Sequence, residues 1–215
     1  MNVINETIPK PKKTIYSLFV KRILDILLSG IAIVFLSPLL LIVSVLELIY
    51  HGSPIIYSQD RPGKDEIIFK LYKFRSMTNS TDENGDLLPG NKRITKFGKI
   101  IRRFSIDELP ELWCIFIGKM SIIGPRPLLP AYLPYYTKRH QLRHAVKPGL
   151  ACVSIKPMKT WSWNDQFEND VWYVENISFI NDVKMMFAVA KEAVVGSEYR
   201  VNDSRKKFGP DYWRE

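Results

Sequence analysis

The chain opens on a polar, lysine-bearing stretch and turns apolar from Ile23 to Ile49, where aliphatic side chains dominate. A run of that length can reach the far side of a bilayer. Ser37-Pro38 lies near its middle, and a proline there removes a backbone donor and crowds the preceding turn, so a straight helix must bend or break. The limb before that point, Leu24 to Leu36, is about 20 Å long at about 1.5 Å per residue, short of a hydrocarbon core of about 30 Å. Lys10, Lys12, Lys13, Lys21 and Arg22 precede the run, and Arg61, Lys64, Lys70 and Lys73 follow it. Positive charge marks the cytoplasmic side, and here it marks both ends. The pattern therefore predicts a helix-break-helix over 21–50, broken at Ser37-Pro38, that enters the membrane and returns. A spanning helix with a proline kink is the alternative.

Beyond this run the periodicity shortens. Ile55 to Gln59 and Ile67 to Phe74 read as two strands, with turn chemistry at Arg61-Pro62-Gly63-Lys64 between them. Residues 79–90 are polar and glycine-bearing, an exposed loop. Ile94 to Phe104 has helical spacing with Lys96, Lys99, Arg102 and Arg103 on it, either a helix lying in the headgroup plane or a solvated charged face over a core. Glu108 to Phe116 reads as a helix, Gly118-Lys119 as a turn, and Gly124-Pro125-Arg126-Pro127 as a stiff non-helical loop. Pro134 to His144 has helical character, Lys147-Pro148-Gly149 is a turn, and Trp161 to Asn176 and Phe179 to Val195 are the last helical stretches before a polar tail. No βαβ alternation is present, which argues against a doubly wound nucleotide fold. The expected class is α+β and helix-rich. Its parts are a basic segment at 1–20, the re-entrant element at 21–50, a cytosolic domain at 51–195 with a short β-hairpin and amphipathic interfacial helices, and a tail at 196–215.

Composition adds one constraint. Among 215 residues, 46% are hydrophobic and 25% charged, as in an ordinary folded protein, but the net charge is +9. That balance suits a phosphate-bearing partner, whether nucleic acid, lipid headgroup or phosphorylated small molecule. Cys114 and Cys152 read as two reduced thiols in a cytoplasmic domain. His51, His140 and His144 lack metal-ligand or nucleophile spacing and read as surface or packing residues.

Ser105-Ile106-Asp107-Glu108 has two readings. It fits a capping box, in which Ser105 accepts from a first-turn amide and Glu108 reaches back. It also places two adjacent acids behind Arg102 and Arg103, where a carboxylate could attack phosphorus once both charges are neutralised. Magnesium suits carboxylate and phosphate oxygens, and no His/Cys cluster supports zinc. Arg126 on its stiff loop can grip phosphate at two points. Lys73 and Arg75, at a strand end, form a phosphate site or a solvated edge.

Together these segments resemble the small monotopic phosphoglycosyl transferases, the bacterial sugar transferase family. The resemblance runs through Lys21-Arg22-Ile23-Leu24-Asp25, Ser37-Pro38, Gln59-Asp60-Arg61-Pro62-Gly63, Phe69 to Met77, Thr95-Lys96-Phe97-Gly98, Ser105 to Leu112, Met120 to Pro127 and Lys147-Pro148-Gly149. It implies a re-entrant helix broken at the Ser-Pro pair, a catalytic domain on the cytoplasmic face of the bacterial inner membrane, and a magnesium-dependent two-step reaction. Asp107, also a metal ligand, would attack the β-phosphorus of a UDP-sugar, release UMP and carry the sugar-1-phosphate covalently to polyprenyl (undecaprenyl) phosphate. Glu108 would assist. Arg126 would hold phosphate oxygens, with Lys73, Arg75 and Arg102 on the same surface. The product, a polyprenyl diphosphate-sugar, would feed downstream glycosyltransferases in glycoconjugate assembly.

One stretch departs from the family. Relatives carry a Thr-Gly-Leu-x-Gln-Val-x-Gly-Arg run after the Pro-Gly turn, whereas this chain has Leu150 to Met158 without those glycines or arginine, and Ala131 stands where many carry an acid. Trp163, Phe167, Asp170 and Tyr173 return to the pattern, so altered sugar specificity is expected, with a UDP-linked N-acetylated amino sugar as the family-level donor. The competing reading is a non-catalytic, membrane-anchored basic module that binds anionic lipid or nucleic acid; it gives no reason for the Asp-Glu pair.

Overall fold

The computed structural model describes residues 11–152, 162–195 and 208–209. Residues 153–158 of the divergent run, most of the 196–215 tail and the start of the basic segment lie outside the described residues. The elements run α1 (Lys21–His51), β1 (Ile56–Pro62), β2 (Ile68–Phe74), α2 (Gly90–Arg93), α3 (Lys96–Arg103), α4 (Glu111–Phe116), β3 (Ser121–Ile123), α5 (Lys138–Gln141), β4 (Gly149–Ala151), α6 (Trp163–Glu175) and α7 (Phe179–Val195). Among the described residues the chain is helix-rich with two small sheets, β1-β2 and β3-β4, as the α+β expectation requires. It divides into two compact units that interleave in sequence: residues 1–25, 60–69 and 118–215, and residues 26–59 and 70–117.

α1 is one long element of 31 residues with Pro38 inside it, so the expected break at Ser37-Pro38 does not separate two helices here. The local chemistry explains how the proline is accommodated. Pro38 cannot donate to the Val34 carbonyl four residues back, and the Ser37 hydroxyl donates to that oxygen instead, at 2.7 Å. Hydroxyls beside prolines re-satisfy freed carbonyls in apolar helices in this way. Among the described residues one helix is long and apolar enough to cross a membrane. Its middle is bare: Ile31, Val34, Phe35 and Leu41 are exposed. Its ends hold buried polar groups, Asp25 and Ser29 at one and Glu47 at the other.

In the unit formed by 26–59 and 70–117, Val43 of α1 packs with Phe74 of β2 and Ile101 of α3, flanked by Leu40, Ile56, Phe97 and Ile106. The cationic stretch expected over 94–104 is helical from Lys96, because Thr95 caps it by accepting from the Gly98 amide at 2.8 Å. Gly98 lets α3 lie directly on the end of β2, since a Cβ there would stand 2.0 Å from the Ser76 carbonyl oxygen.

The unit formed by 1–25, 60–69 and 118–215 rests on α6 and α7. Tyr173, Ile177 and Met185 pack with Ile123, and Phe167 joins Leu128, Tyr136 and Phe208 in an aromatic cluster. α6 opens with a true capping box: Ser162 accepts from the Asp165 amide and Asp165 accepts from the Ser162 amide. The continuous helix expected over 134–144 is instead a 3-10 turn at Pro130–Tyr135, the single turn of α5, and a second 3-10 turn at Leu142–Ala145. Pro134 lies inside the first turn, where its missing amide breaks the α pattern.

Candidate active site

The expected capping box at Ser105 does not form. Ser105 sits in the left-handed region at φ 55° and its side chain caps nothing. The chain leaves α3 through this turn, makes one 3-10 turn over Ile106–Glu108, and begins α4 only at Glu111, after Pro110. The expected helix from Glu108 therefore begins late, at Glu111, and Pro110 is the sequence signal for where it starts. The detour leaves Asp107 and Glu108 on a short turn and not inside a helix.

Glu108 reaches across to β2: Lys73 Nζ donates to Glu108 Oε1 at 2.7 Å and lies 3.0 Å from Glu111 Oε1. Lys73 is thus shared by two carboxylates, one half-buried and one buried. Arg102, near the end of α3, donates through Nε to Ser76 Oγ at 2.7 Å. Asp107 lies in the field of both cations. Burial foremost, and then the Glu108 charge, push its carboxyl above the ordinary carboxylate range, while Lys73 and Arg102 pull it back. The result is a partly desolvated acid kept ionisable by two fixed cations. Desolvation strengthens a carboxylate as a nucleophile only if nearby charge lets it shed its proton. Arg75 is turned elsewhere, donating to the Pro54 carbonyl at 3.1 Å.

Among the described residues no cluster of three or more His, Cys, Asp or Glu is arranged to hold a metal. Magnesium does not need one: it is commonly held by one or two carboxylates together with substrate phosphates and water. Asp107 beside Glu108 fits that donor set.

Arg126 belongs to the other unit, where its loop is held rigidly. β3 and β4 pair in parallel with Ser121 opposite Gly149 and Ile123 opposite Ala151. The Gly124 amide donates to the Ala151 carbonyl at 3.1 Å and the Gly149 amide to the Pro125 carbonyl at 3.0 Å. A Cβ on Gly149 would stand 2.0 Å from the Gly124 nitrogen, so the two motifs touch backbone to backbone. Beneath the loop, the buried Arg143 donates to the Arg126 carbonyl at 2.7 Å and to the Tyr136 hydroxyl at 2.7 Å, and pairs with Asp170 at 2.8 Å. Burial pushes Asp170 up to about 6 despite that guanidinium. The Arg126 side chain itself is exposed.

The structure thus gathers Lys73, Arg102, Asp107 and Glu108 into one unit and fixes the Arg126 loop in the other. The sequence reading missed Glu111, whose signal was only its place in the turn after Asp107, and Arg143, which looked like one basic residue among several. It also left His51 with no role. His51 Nδ1 meets Glu47 Oε2 at 2.8 Å and its Nε2 meets the Thr95 hydroxyl at 2.9 Å, which ties the end of α1 to the cap of α3. His144 is buried, and burial first, then Arg143, hold it down at about 4, so packing describes it. Cys114 and Cys152 are free thiols.

Comparison with known proteins places the chain. Residues 16–196 match the family described as bacterial sugar transferase. The uncharacterised sugar transferase EpsL of Bacillus subtilis is 41% identical over 179 residues, covering 83% of this chain and 89% of that protein. A UDP-N-acetylgalactosamine-undecaprenyl-phosphate N-acetylgalactosaminephosphotransferase of Aeromonas hydrophila is 33% identical over 204 residues, 91% of this chain and 47% of its own length. A UDP-glucose:undecaprenyl-phosphate glucose-1-phosphate transferase of Klebsiella pneumoniae is 32% identical over 180 residues, 78% of this chain and 38% of its own length. The chain thus spans less than half of the two relatives whose names state a reaction. With the family match running from before α1 to the end of α7, the chain belongs to the bacterial sugar transferases.

Proposed function

We propose that this chain transfers a sugar-1-phosphate from a UDP-sugar to polyprenyl phosphate, with Asp107 as the covalent carrier. An Asp107 carboxylate oxygen bonds to the β-phosphorus as the bond from that phosphorus to the bridging oxygen breaks, and UMP leaves. An oxygen of polyprenyl phosphate then bonds to the same phosphorus, the acyl-phosphate bond breaks, and Asp107 regains its carboxylate. The observation that carries this reading is Asp107 on a 3-10 turn, partly desolvated, with Lys73 and Arg102 acting on it. The names of the Aeromonas and Klebsiella relatives support the same chemistry.

In this mechanism Lys73 offsets charge on the transferring phosphoryl group and, through its bond at 2.7 Å, holds Glu108 in place. Glu108 takes the proton from the lipid phosphate when the acceptor arrives, or holds the metal. Arg126, on the loop fixed by Gly149 and Arg143, binds phosphate oxygens of the donor. Asp107 and Glu108 would hold magnesium, which when bound shields the repulsion between carboxylate and diphosphate. An N-acetylated amino sugar is the donor we expect.

The site works from the cytoplasmic face of the inner membrane, with α1 dipping into the bilayer as one helix bent at its internal Pro38, so that both of its ends stay on that face. The bare apolar middle of α1 and the buried polar groups at both of its ends support that disposition. The deciding experiment incubates full-length protein with UDP-sugars and magnesium. Release of UMP with a phosphosugar mass on the peptide containing Asp107 sustains the proposal. A chain that binds membranes but yields neither, with every UDP-sugar tried, points to the basic binding module.

A further inference from the structure

We propose that Glu111 is a positioning residue, which keeps the Lys73 ammonium beside Asp107 when Glu108 takes up a proton in the second half of the reaction. This role deepens the catalytic reading above and rests on it. The observation is one ammonium shared by two carboxylates that are held in unequal ways. Lys73 Nζ lies 2.7 Å from Glu108 Oε1 and 3.0 Å from Glu111 Oε1. The Glu108 side chain is 14% exposed and stands on the single 3-10 turn that also carries Asp107. The Glu111 side chain is 5% exposed and opens α4. α4 is seated on β2: Leu112, Cys114 and Ile115 are buried, and the Cys114 thiol donates to the Lys70 carbonyl at 3.5 Å.

The two carboxylates therefore suit different tasks. Glu108, on its turn, is the one that accepts the proton of the incoming polyprenyl phosphate. The phosphate oxygen so freed bonds to phosphorus, the acyl-phosphate bond breaks, and Asp107 departs as a carboxylate. Once protonated, Glu108 no longer meets Lys73 as an anion. Lysine carries its charge on a flexible four-carbon stem, and this side chain is 21% exposed, so a weakened partner would let the ammonium swing toward water. Asp107 would then lose the stronger of the two cationic influences on it, Lys73 ahead of Arg102. Glu111 opposes that loss, because parting from Lys73 would take a charge-assisted contact from a buried carboxylate. In the first half Glu108 is ionised and grips Lys73 itself, so Glu111 counts for less there.

The test times the two halves separately, with the full chain in nanodiscs. Loading of the phosphosugar from a UDP-sugar is followed by intact mass, and the preformed adduct is then chased with polyprenyl phosphate. We expect Glu111→Gln to slow the chase about tenfold more than it slows loading, so that adduct accumulates during turnover. Lys73→Gln should slow both halves, and adding Glu111→Gln to it should cost nothing further, because Glu111 acts through Lys73. Glu111→Asp withdraws the same charge by one methylene and should show the split in smaller measure; it carries the test if thermal melts show Glu111→Gln unfolded. Equal slowing of loading and chase, an unslowed chase, or a full additional loss in the Lys73→Gln background would overturn the proposal and leave Asp107 as the carrier. A parent chain that loads no adduct from any UDP-sugar would overturn both.

Discussion

Asp107 shows how one carboxyl can be both costly and useful. Because burial and Glu108 raise it, folding favours its protonated form. That contribution to stability is complete below the unfolded value of about 3.9 and is lost as pH climbs through the higher folded value. Asp107→Asn removes a charge the fold holds at a cost, so its Tm should exceed that of the parent at neutral pH. The gap should close as the pH is lowered toward about 4, and differential scanning calorimetry across pH will show it. The same variant should lose all UMP release. Lys73→Met removes a cation that lowers Asp107, so the acid limb of the pH profile for UMP release should move upward and the maximal rate should drop by about a hundredfold. The adjacency of Asp107 and Glu108 behind two arginines was legible in the sequence, but the Lys73 contacts were not. Sequence spacing gave no sign that a lysine 34 residues before Asp107 would sit between Glu108 and Glu111.

At the scale of elements, local rules worked where the chain follows local rules. Thr95 before a cationic helical stretch is a cap that a reader can find, and so is the strand pair around Pro62-Gly63. Thr95 does more than cap, because it also meets His51. Thr95→Ala should therefore cost at least the ~1–2 kcal/mol of a lost N-cap, seen as a lower Tm, while Thr95→Ser should retain most of the stability. The helix expected from Glu108 forms only from Glu111, after Pro110, and the 3-10 turn before it follows a Ser105 at positive φ, which no preference of serine foretells. The Ser37-Pro38 pair was read for what proline removes and not for what serine supplies. Ser37→Ala leaves the Val34 carbonyl without that hydroxyl and should destabilise the apolar helix by about 1–3 kcal/mol, measurable as earlier loss of helical signal on heating in detergent.

For the whole molecule, what escaped the sequence is long-range. The parallel pairing of Ser121 with Gly149 and the buried Arg143–Asp170 pair link segments about 28 residues apart, beyond any short-range pattern. Arg143→Met strands the Asp170 carboxylate in the interior and should cost about 3–5 kcal/mol, read by chemical denaturation. The membrane disposition has its own check: tags placed before Lys21 and after His51 should both be open to protease from the cytoplasmic side alone, and access from opposite sides would mean a spanning helix. The backbone contact of Gly124 with Gly149 bears on efforts to retune this enzyme for new sugars. Even a methyl at Gly149 would be blocked by the facing chain, so a randomised library spanning both motifs would be filled with clones that never assemble. Diversity belongs downstream of Cys152, away from that backbone contact.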